Sequence, residues 1–206
     1  MKLLIAIPTT DTMPFQFVES LTKLIRRLDA DEVDYDVAIQ GGTLVYIARD
    51  KLAKRAISEG YSHVLWLDSD MVFNEDLLDD LMDSGKIFVT GIAHSRREPY
   101  SSCVFSEIYP CFRKWNEAYP EKTFKIAACG FACVLITTDI IKAVWDEYGT
   151  AFFPERMLGE DVAFCKRAAA LGYEIWAEPS VRLGHVGQHI VYPEQQETYW
   201  NSVTEV

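Results

Sequence analysis

The feature that most constrains the fold is a short apolar run that ends in two closely spaced carboxylates. Residues 64–67 have the length and composition of a strand that is buried on both faces, and Asp68-Ser69-Asp70 follows directly. Burying an unpaired carboxylate is costly, so we expect the aspartates where the strand leaves the core. In open α/β sheets, ligands bind at this carboxyl edge of the strands.

Asp68 and Asp70 are two residues apart, so on an ideal strand both would face the same side. Two neighbouring carboxylates repel each other at neutral pH, and a divalent cation relieves that repulsion. Hard oxygen ligands suit Mg²⁺ or Mn²⁺. The alternative is a simple turn that leads into a helix N-cap, where Asp and Ser are common.

Residues 1–95 alternate between strand-like and helical patterns. We predict strands at 3–7, 35–39, 64–67 and 87–92, with helices at 15–28, 44–58 and 75–82, the last capped by Asn74. Such alternation predicts an α/β fold, in which a mostly parallel central sheet is flanked by helices on both faces.

The second half is less regular. After a polar loop at 95–99, residues 102–108 and 124–137 resemble longer, irregular strands, and a helix is expected from 138 to 145. A further helix at 162–171 precedes a last strand at 174–177 and a short one within 181–186. Without a linker or a repeat, the simplest organisation is one domain over residues 1–187, with halves at 1–95 and 96–187 and a tail at 188–206.

The net charge of −11 argues against nucleic acid and anionic lipid as partners. No apolar stretch is long enough to cross a bilayer, and the N-terminal apolar residues are too few for a secretory signal. Five cysteines favour free thiols in a reducing cytoplasm. Cys129 and Cys133 have a spacing that zinc sites use, but their apolar surroundings favour buried cysteines without a metal. The five are Cys103, Cys111, Cys129, Cys133 and Cys165.

Two further places carry groups capable of chemistry. Glu160 and Asp161 begin a predicted helix, where they act either as a rigidly aimed general base or only as partners of the helix dipole. His185 lies between glycines and is either a structural histidine or a ligand that would complete a manganese site. His94 and His189 are weaker candidates.

Arg49 lies in the first turns of its helix and either reaches toward an anion over the strand ends or pairs with acidic neighbours on the surface. Pro8 and Thr9 end the first strand, beside the central one. A nucleotide's base and ribose would fit there.

Five short motifs occur in one order along residues 3–187: IAIPT, ARD, LWLDSDM, GEDV and GH. Together they resemble the GT-A glycosyltransferases, especially the small members found in bacteria and phages. The resemblance implies a Rossmann-like nucleotide-diphospho-sugar transferase fold and transfer of a sugar from a UDP- or GDP-linked donor to an acceptor hydroxyl. The donor sugar, the acceptor, the stereochemistry and the oligomeric state are not implied.

The resemblance also implies roles for individual residues. Asp161 or Glu160 would contact the acceptor and, in an inverting enzyme, act as the base. The implied donor-binding residues are Pro8, Thr9, Arg49, Asp68 and Ser69, and Gly130 resembles the glycine near the acceptor pocket. The implied ligands of Mn²⁺ or Mg²⁺ are Asp68, Asp70 and His185. A basic motif that often follows the acidic pair is not evident, so further contacts to the diphosphate are unassigned.

Two rival functions remain open. Residues 68–72 also fit the start of a haloacid-dehalogenase-like phosphohydrolase, in which Asp68 would be the nucleophile, although that motif usually lies near the N-terminus. The chain also fits a sugar-nucleotide or glycan-binding protein that has lost turnover.

Overall fold

The structure is a computed structural model, which describes residues 1–10, 12–108, 113–187, 190–196 and 199. Cys111 and His189 lie outside these residues, as does most of the predicted tail. The helices are α1 (Phe15–Ala30), α2 (Val45–Ser58), α3 (Leu77–Asp83), α4 (Thr138–Tyr148) and α5 (Glu160–Ala170). The strands are β1 (Lys2–Pro8), β2 (Asp34–Gln40), β3 (His63–Leu67), β4 (Met71–Val72), β5 (Phe88–Ile92), β6 (Val104–Glu107), β7 (Arg113–Lys114), β8 (Phe124–Ile126), β9 (Ala128–Cys129), β10 (Cys133–Thr137), β11 (Ile175–Arg182), β12 (Gly184–Val186) and β13 (Ile190–Val191).

The central sheet has the strand order β2-β1-β3-β10-β5-β11-β8 within the described residues. Strands β10 and β8 run against the other five, so the predicted mostly parallel sheet is confirmed. Strand β10 is inserted between β3 and β5, which no local sequence pattern indicated. This antiparallel strand places the carboxyl end of β3 beside the start of β10.

Helices cover both faces of the sheet, as predicted. Alternate residues of each strand point to opposite faces, so Val64 and Trp66 of β3 pack toward α2, α4 and α5. Leu65 and Leu67 pack on the other face, toward α1 and α3. Because β3 is buried on both faces, its apolar run has no polar residue until the strand ends.

Two sequence predictions need correction. Residues 124–137 are divided among β8, β9 and β10, because the chain leaves the central sheet at Ala128 and returns to it at Cys133. The short acidic helix begins at Leu77 after Asp76, and no side chain caps its start, so Asn74 is not the cap.

Two small sheets complete the architecture described here. Strands β13, β12 and β4 form one of them, and β7, β6 and β9 form the other. Residues 190–191, which belong to the predicted tail, are therefore paired with β12. Among the described residues, no helix has the length and apolar character needed to cross a bilayer.

Candidate functional site

A cleft of about 380 Å³ opens at the carboxyl ends of β1 and β3. This is the edge at which the sequence predicted a ligand site. The residues that line the cleft are Pro8, Thr9, Thr10, Thr12, Pro14, Thr43, Val45, Asp68, Ser69, Asp70 and Arg96.

Asp68-Ser69-Asp70 forms a turn at the end of β3. The Asp68 amide donates to the carbonyl of Ala132 at 3.0 Å, and the Met71 amide donates back to the carbonyl of Asp68 at 3.2 Å. The turn therefore exists, but it leads into β4 and not into a helix. Although the two aspartates are not on a strand, both side chains face the cleft.

Asp70 and His185 meet across 115 residues of chain, with Oδ2 and Nε2 3.2 Å apart. The small sheet brings them together, because β12 pairs with β4 and the Val186 amide donates to the carbonyl of Asp70 at 2.8 Å. His185 Nδ1 lies 2.8 Å from the backbone oxygen of His94. Since a carbonyl only accepts, Nδ1 carries a proton and Nε2 faces Asp70.

The groups around His185 and Asp70 shift the pKa values of both residues. Burial alone lowers the pKa of His185, but its hydrogen bonds to Asp70 and to His94 outweigh burial and raise it above its usual value. Burial alone raises the pKa of Asp70, but His185 and Arg96 outweigh burial and lower it. The site therefore favours a carboxylate with a cationic partner.

Arg96 is a cleft residue that the sequence analysis missed. Its Nη1 donates to Oδ2 of Asp70 at 2.7 Å and lies 3.3 Å from the carbonyl of Val186. The position of Arg96 just past β5 could have identified it as a cleft residue, because the carboxyl ends of parallel strands share one edge of a sheet. Residues 95–99 are indeed a loop, as predicted, and this loop carries the guanidinium to the cleft.

Arg49 lies beneath the cleft and not at its rim. Its side chain is 3% exposed, and Nη2 lies 2.8 Å from Oδ1 of Asp68. Nε lies 3.4 Å from Glu160, and Nη1 lies 3.4 Å from the carbonyl of Phe131. Burial raises the pKa of Asp68 to about 6, although Arg49 opposes this shift. The guanidinium thus holds carboxylates in place and does not line the cleft.

The two acidic residues at the start of α5, Glu160 and Asp161, have different surroundings. Glu160 faces Arg49, whereas Oδ1 of Asp161 accepts the Val162 amide at 2.7 Å. Burial raises the pKa of Asp161, and the nearby charge of Glu160 adds to the shift. A Cβ on Gly130 would lie 3.5 Å from Asp161 Oδ2, so this glycine borders the carboxylate. Asp161 is therefore the member of the pair whose carboxylate does not face Arg49.

The donor atoms fit a divalent cation shared with a ligand. The Asp70 Oδ2 to His185 Nε2 separation of 3.2 Å is close to the roughly 3 Å edge of an octahedron with metal–ligand bonds of about 2.1 Å. His185 also has the backbone partner on Nδ1 that metal-bound histidines commonly have. Among the described residues, no three His, Cys, Asp or Glu side chains form a ready metal cluster, and Asp68 faces Arg49.

Two residues at the end of β1 offer further contacts to a ligand. Pro8 and Thr9 both line the cleft, as does Ser69. The Thr9 hydroxyl is buried and has no hydrogen-bond partner among the residues that the structure describes. A buried hydroxyl without a partner is costly, so a polar ligand group in the cleft would satisfy it.

Comparison with known proteins rests on structure alone, because no family model and no curated protein matches this sequence. A197 from STIV has a TM-score of 0.65 and 17% identity, over 95% of this chain and 92% of that one. The catalytic domain of Drosophila β1,4-galactosyltransferase 7, in complex with xylobiose, has a TM-score of 0.51 and 11% identity, over 86% of this chain and 65% of that one.

A UDP-glucose pyrophosphorylase in complex with UDP-glucose is similar over 100% of this chain and 99% of its own, with a TM-score of 0.53 and 10% identity. At such low identities, the likeness establishes the fold alone. The chain therefore shares the mixed α/β fold of these structures, and this fold is consistent with the one that the sequence motifs implied.

Proposed function

We propose that this chain is a metal-dependent glycosyltransferase that moves a sugar from a nucleoside-diphosphate sugar, UDP- or GDP-linked, to an acceptor hydroxyl. The observation that carries the proposal is the meeting of Asp70 and His185 in a cleft at the carboxyl edge of the sheet. The fold supports it, since enzymes that use nucleotide sugars share this fold.

Asp70 and His185 would hold Mn²⁺ or Mg²⁺, with the remaining ligands from diphosphate oxygens and water, as is usual for Mg²⁺. The ion would stabilise the charge that develops on the diphosphate leaving group as the glycosidic bond breaks. Asp68 was also expected to be a ligand. Its contact with Arg49 instead supports a role in shaping the cleft, close to the ribose.

The donor would lie along the end of β1. Pro8 and Ser69 would border the nucleotide. The Thr9 hydroxyl, which lacks a partner in the described part of the chain, would donate a hydrogen bond to the nucleotide or accept one from it. Arg49 would act indirectly, because its guanidinium is buried beneath Asp68.

Asp161 would remove the proton of the acceptor hydroxyl if the enzyme is inverting, because a carboxylate with a raised pKa is a better base. Glu160 is the weaker candidate, since its charge faces Arg49. Gly130 would leave room for the acceptor beside Asp161.

We also propose a cytoplasmic location and a single domain over residues 1–187. The four described cysteines carry free thiols, which suits a reducing compartment. Both hydrophobic cores share the strands of one sheet, which supports the single domain.

The proposal is tested with a thermal-shift panel of UDP-, GDP- and TDP-sugars, with and without Mn²⁺. A ligand that binds only the folded state raises Tm by mass action, so the donor should stabilise the protein only when Mn²⁺ is present. We expect Asp70→Asn to lose this shift and the surface control Asp83→Asn to keep it. An unchanged shift in Asp70→Asn would refute the metal site.

Turnover separates the rival functions. With the donor identified, the glycosyltransferase should release the nucleoside diphosphate and transfer or hydrolyse the sugar. Release of free phosphate from phosphate esters without a sugar nucleotide would identify a phosphohydrolase that uses Asp68. Metal-dependent nucleotide binding without turnover of any donor would identify a binding protein.

A further inference from the structure

The oxygen of Asp70 that faces His185 already has a cation in contact with it. Arg96 Nη1 lies 2.7 Å from Oδ2, and His185 Nε2 lies 3.2 Å from the same atom. A divalent ion on Oδ2 would therefore lie against a guanidinium, and two cations in contact repel each other. Metal binding at Oδ2 and the Arg96–Asp70 ion pair therefore compete with each other.

The Arg96 guanidinium is able to move away from Asp70. Its side chain is 49% exposed, whereas that of Asp70 is 26% exposed. A half-exposed ion pair is worth little and is exchanged at small cost. The loop itself is fixed near its base, because His94 and Ser102 form a bridge and the Ser95 amide donates to the carbonyl of Ser101 at 2.9 Å. The long side chain is thus able to move without the backbone.

A diphosphate bound in the cleft would also need a positively charged side chain to balance its negative charge. Among the described residues that line it, Arg96 is the only basic one, and the whole chain has a net charge of −11. Arg49 does not serve, because it is buried against Asp68. A guanidinium binds phosphate oxygens in pairs of charge-assisted hydrogen bonds, so Arg96 has a second partner available once the donor is bound.

We propose that Arg96 is an exchangeable cation of this site. It neutralises Asp70 while no metal is bound, gives up Oδ2 to the divalent ion, and then binds the diphosphate of the donor. This inference rests on the proposed function, and it assigns the diphosphate contact that the sequence analysis left open.

The exchange makes two measurements change in opposite directions. In Arg96→Gln, nucleotide-free protein should bind Mn²⁺ roughly three- to tenfold more tightly than wild type, because the competing cation is gone. At saturating Mn²⁺, the same variant should bind UDP or GDP roughly tenfold more weakly, because a charge-assisted hydrogen bond is lost. Mn²⁺ binding is followed by the electron paramagnetic resonance signal of free Mn²⁺, and nucleotide binding by calorimetry.

The matched control is Arg97→Gln, which removes the same charge from the next residue of the loop. Arg97 is exposed and does not line the cleft, so both affinities should stay at the wild-type value. Arg96→Lys keeps the charge and should lie between wild type and Arg96→Gln in both measurements. An unchanged Tm in all three variants establishes that folding is unaffected.

Each contrary result has a distinct meaning. Equal Mn²⁺ affinity in wild type and Arg96→Gln would overturn the exchange and leave the proposed function standing, and so would a loss of both affinities. Failure of wild type and Arg96→Gln alike to bind Mn²⁺ would overturn the metal site on which the proposed function depends. Tight binding of UDP or GDP to wild type without Mn²⁺, lost in Arg96→Gln, would make Arg96 a permanent replacement for the metal and overturn the exchange.

Discussion

The Arg49 guanidinium donates a 2.8 Å hydrogen bond to Oδ1 of Asp68 and is 3% exposed. The same group lies 3.4 Å from Glu160, so one buried cation faces a carboxylate from the cleft and a carboxylate from the start of α5. It also lies over the Phe131 ring, with Cζ 5.4 Å from the centroid. The proposed nucleotide side and the proposed acceptor side of the candidate site therefore share one buried positive charge.

Removing that charge should destabilise the protein. We expect Arg49→Met to lose about 2–4 kcal/mol of unfolding free energy, because Asp68 and Glu160 would lose their shared cation and each would have to take up a proton or keep an unpaired charge in a poorly solvated place. Urea unfolding at neutral pH measures the loss. The double variant Arg49→Met/Asp68→Asn should recover part of it, and a loss below about 1 kcal/mol in the single variant would show that the pair is not important for stability.

The two members of the acidic pair should differ in their effect on catalysis. We expect Asp161→Asn to lower the transfer rate roughly 10²- to 10⁴-fold if Asp161 is the base, without weakening nucleotide binding. Glu160→Gln is the matched neighbour and should have a smaller effect on the rate. Transfer to the acceptor is followed by nucleoside-diphosphate release with the donor found in the thermal-shift panel. A loss below about tenfold in Asp161→Asn would argue for a different base or for a retaining reaction.

His94 should make the protein sensitive to acid. Burial lowers the pKa of His94 from 6.5 to about 4, and its ring contacts Gln196 and Tyr119 inside the protein. The folded state therefore binds this proton more weakly than the unfolded chain does, so stability falls as the pH drops from about 6.5 toward about 4. Between pH 7 and pH 5 this residue alone should cost about 2 kcal/mol.

The variant His94→Gln isolates this effect. Glutamine keeps a polar group within the cavity but does not titrate, so the variant should lose about 2 kcal/mol less than wild type between pH 7 and pH 5. Unfolding by urea at the two pH values gives the comparison. Equal losses in the two proteins would mean that His94 does not take up a proton on unfolding.

The sequence predicted those parts of the fold that depend on local pattern. The apolar run of residues 64–67 predicted β3, and the GT-A resemblance implied that Asp70 and His185 act together, which agrees with their 3.2 Å separation. The insertion of β10 between β3 and β5 was not predicted, because no local pattern records which distant strand pairs with which. Only the folded chain reveals that choice.

The cations of the site were predicted less well than the carboxylates. Asp68 and Asp70 interrupt an apolar run, so their position is conspicuous, whereas Arg96 lies in a polar loop where a charge is ordinary. Arg49 was expected either to reach over the strand ends or to pair on the surface, but its helix turns this side chain under the cleft. Its carboxylate partners there come from the turn after β3 and from α5. An arginine's partner depends on tertiary packing, which its neighbours in sequence do not encode.

The glycine before His185 offers a test of how the small sheet sets the site. A Cβ on Gly184 would lie 2.7 Å from Cγ2 of Ile190, which is closer than such atoms pack, and 3.0 Å from the Tyr192 ring. In Gly184→Ala, these side chains or β13 itself must therefore shift away from β12, which carries His185. We expect an unfolding free energy lower by about 1–3 kcal/mol.

Gly184→Ala should also weaken Mn²⁺ binding roughly tenfold, because the imidazole would lose its alignment with Asp70. The control is Gly130→Ala, whose Cβ would meet its nearest atoms at 3.5 Å, an ordinary contact. That variant should bind Mn²⁺ with wild-type affinity, since Gly130 borders Asp161 and not His185. If Gly184→Ala also binds Mn²⁺ as tightly as wild type, then the packing of β12 against β13 does not fix the position of His185, and its backbone contact to His94 is sufficient.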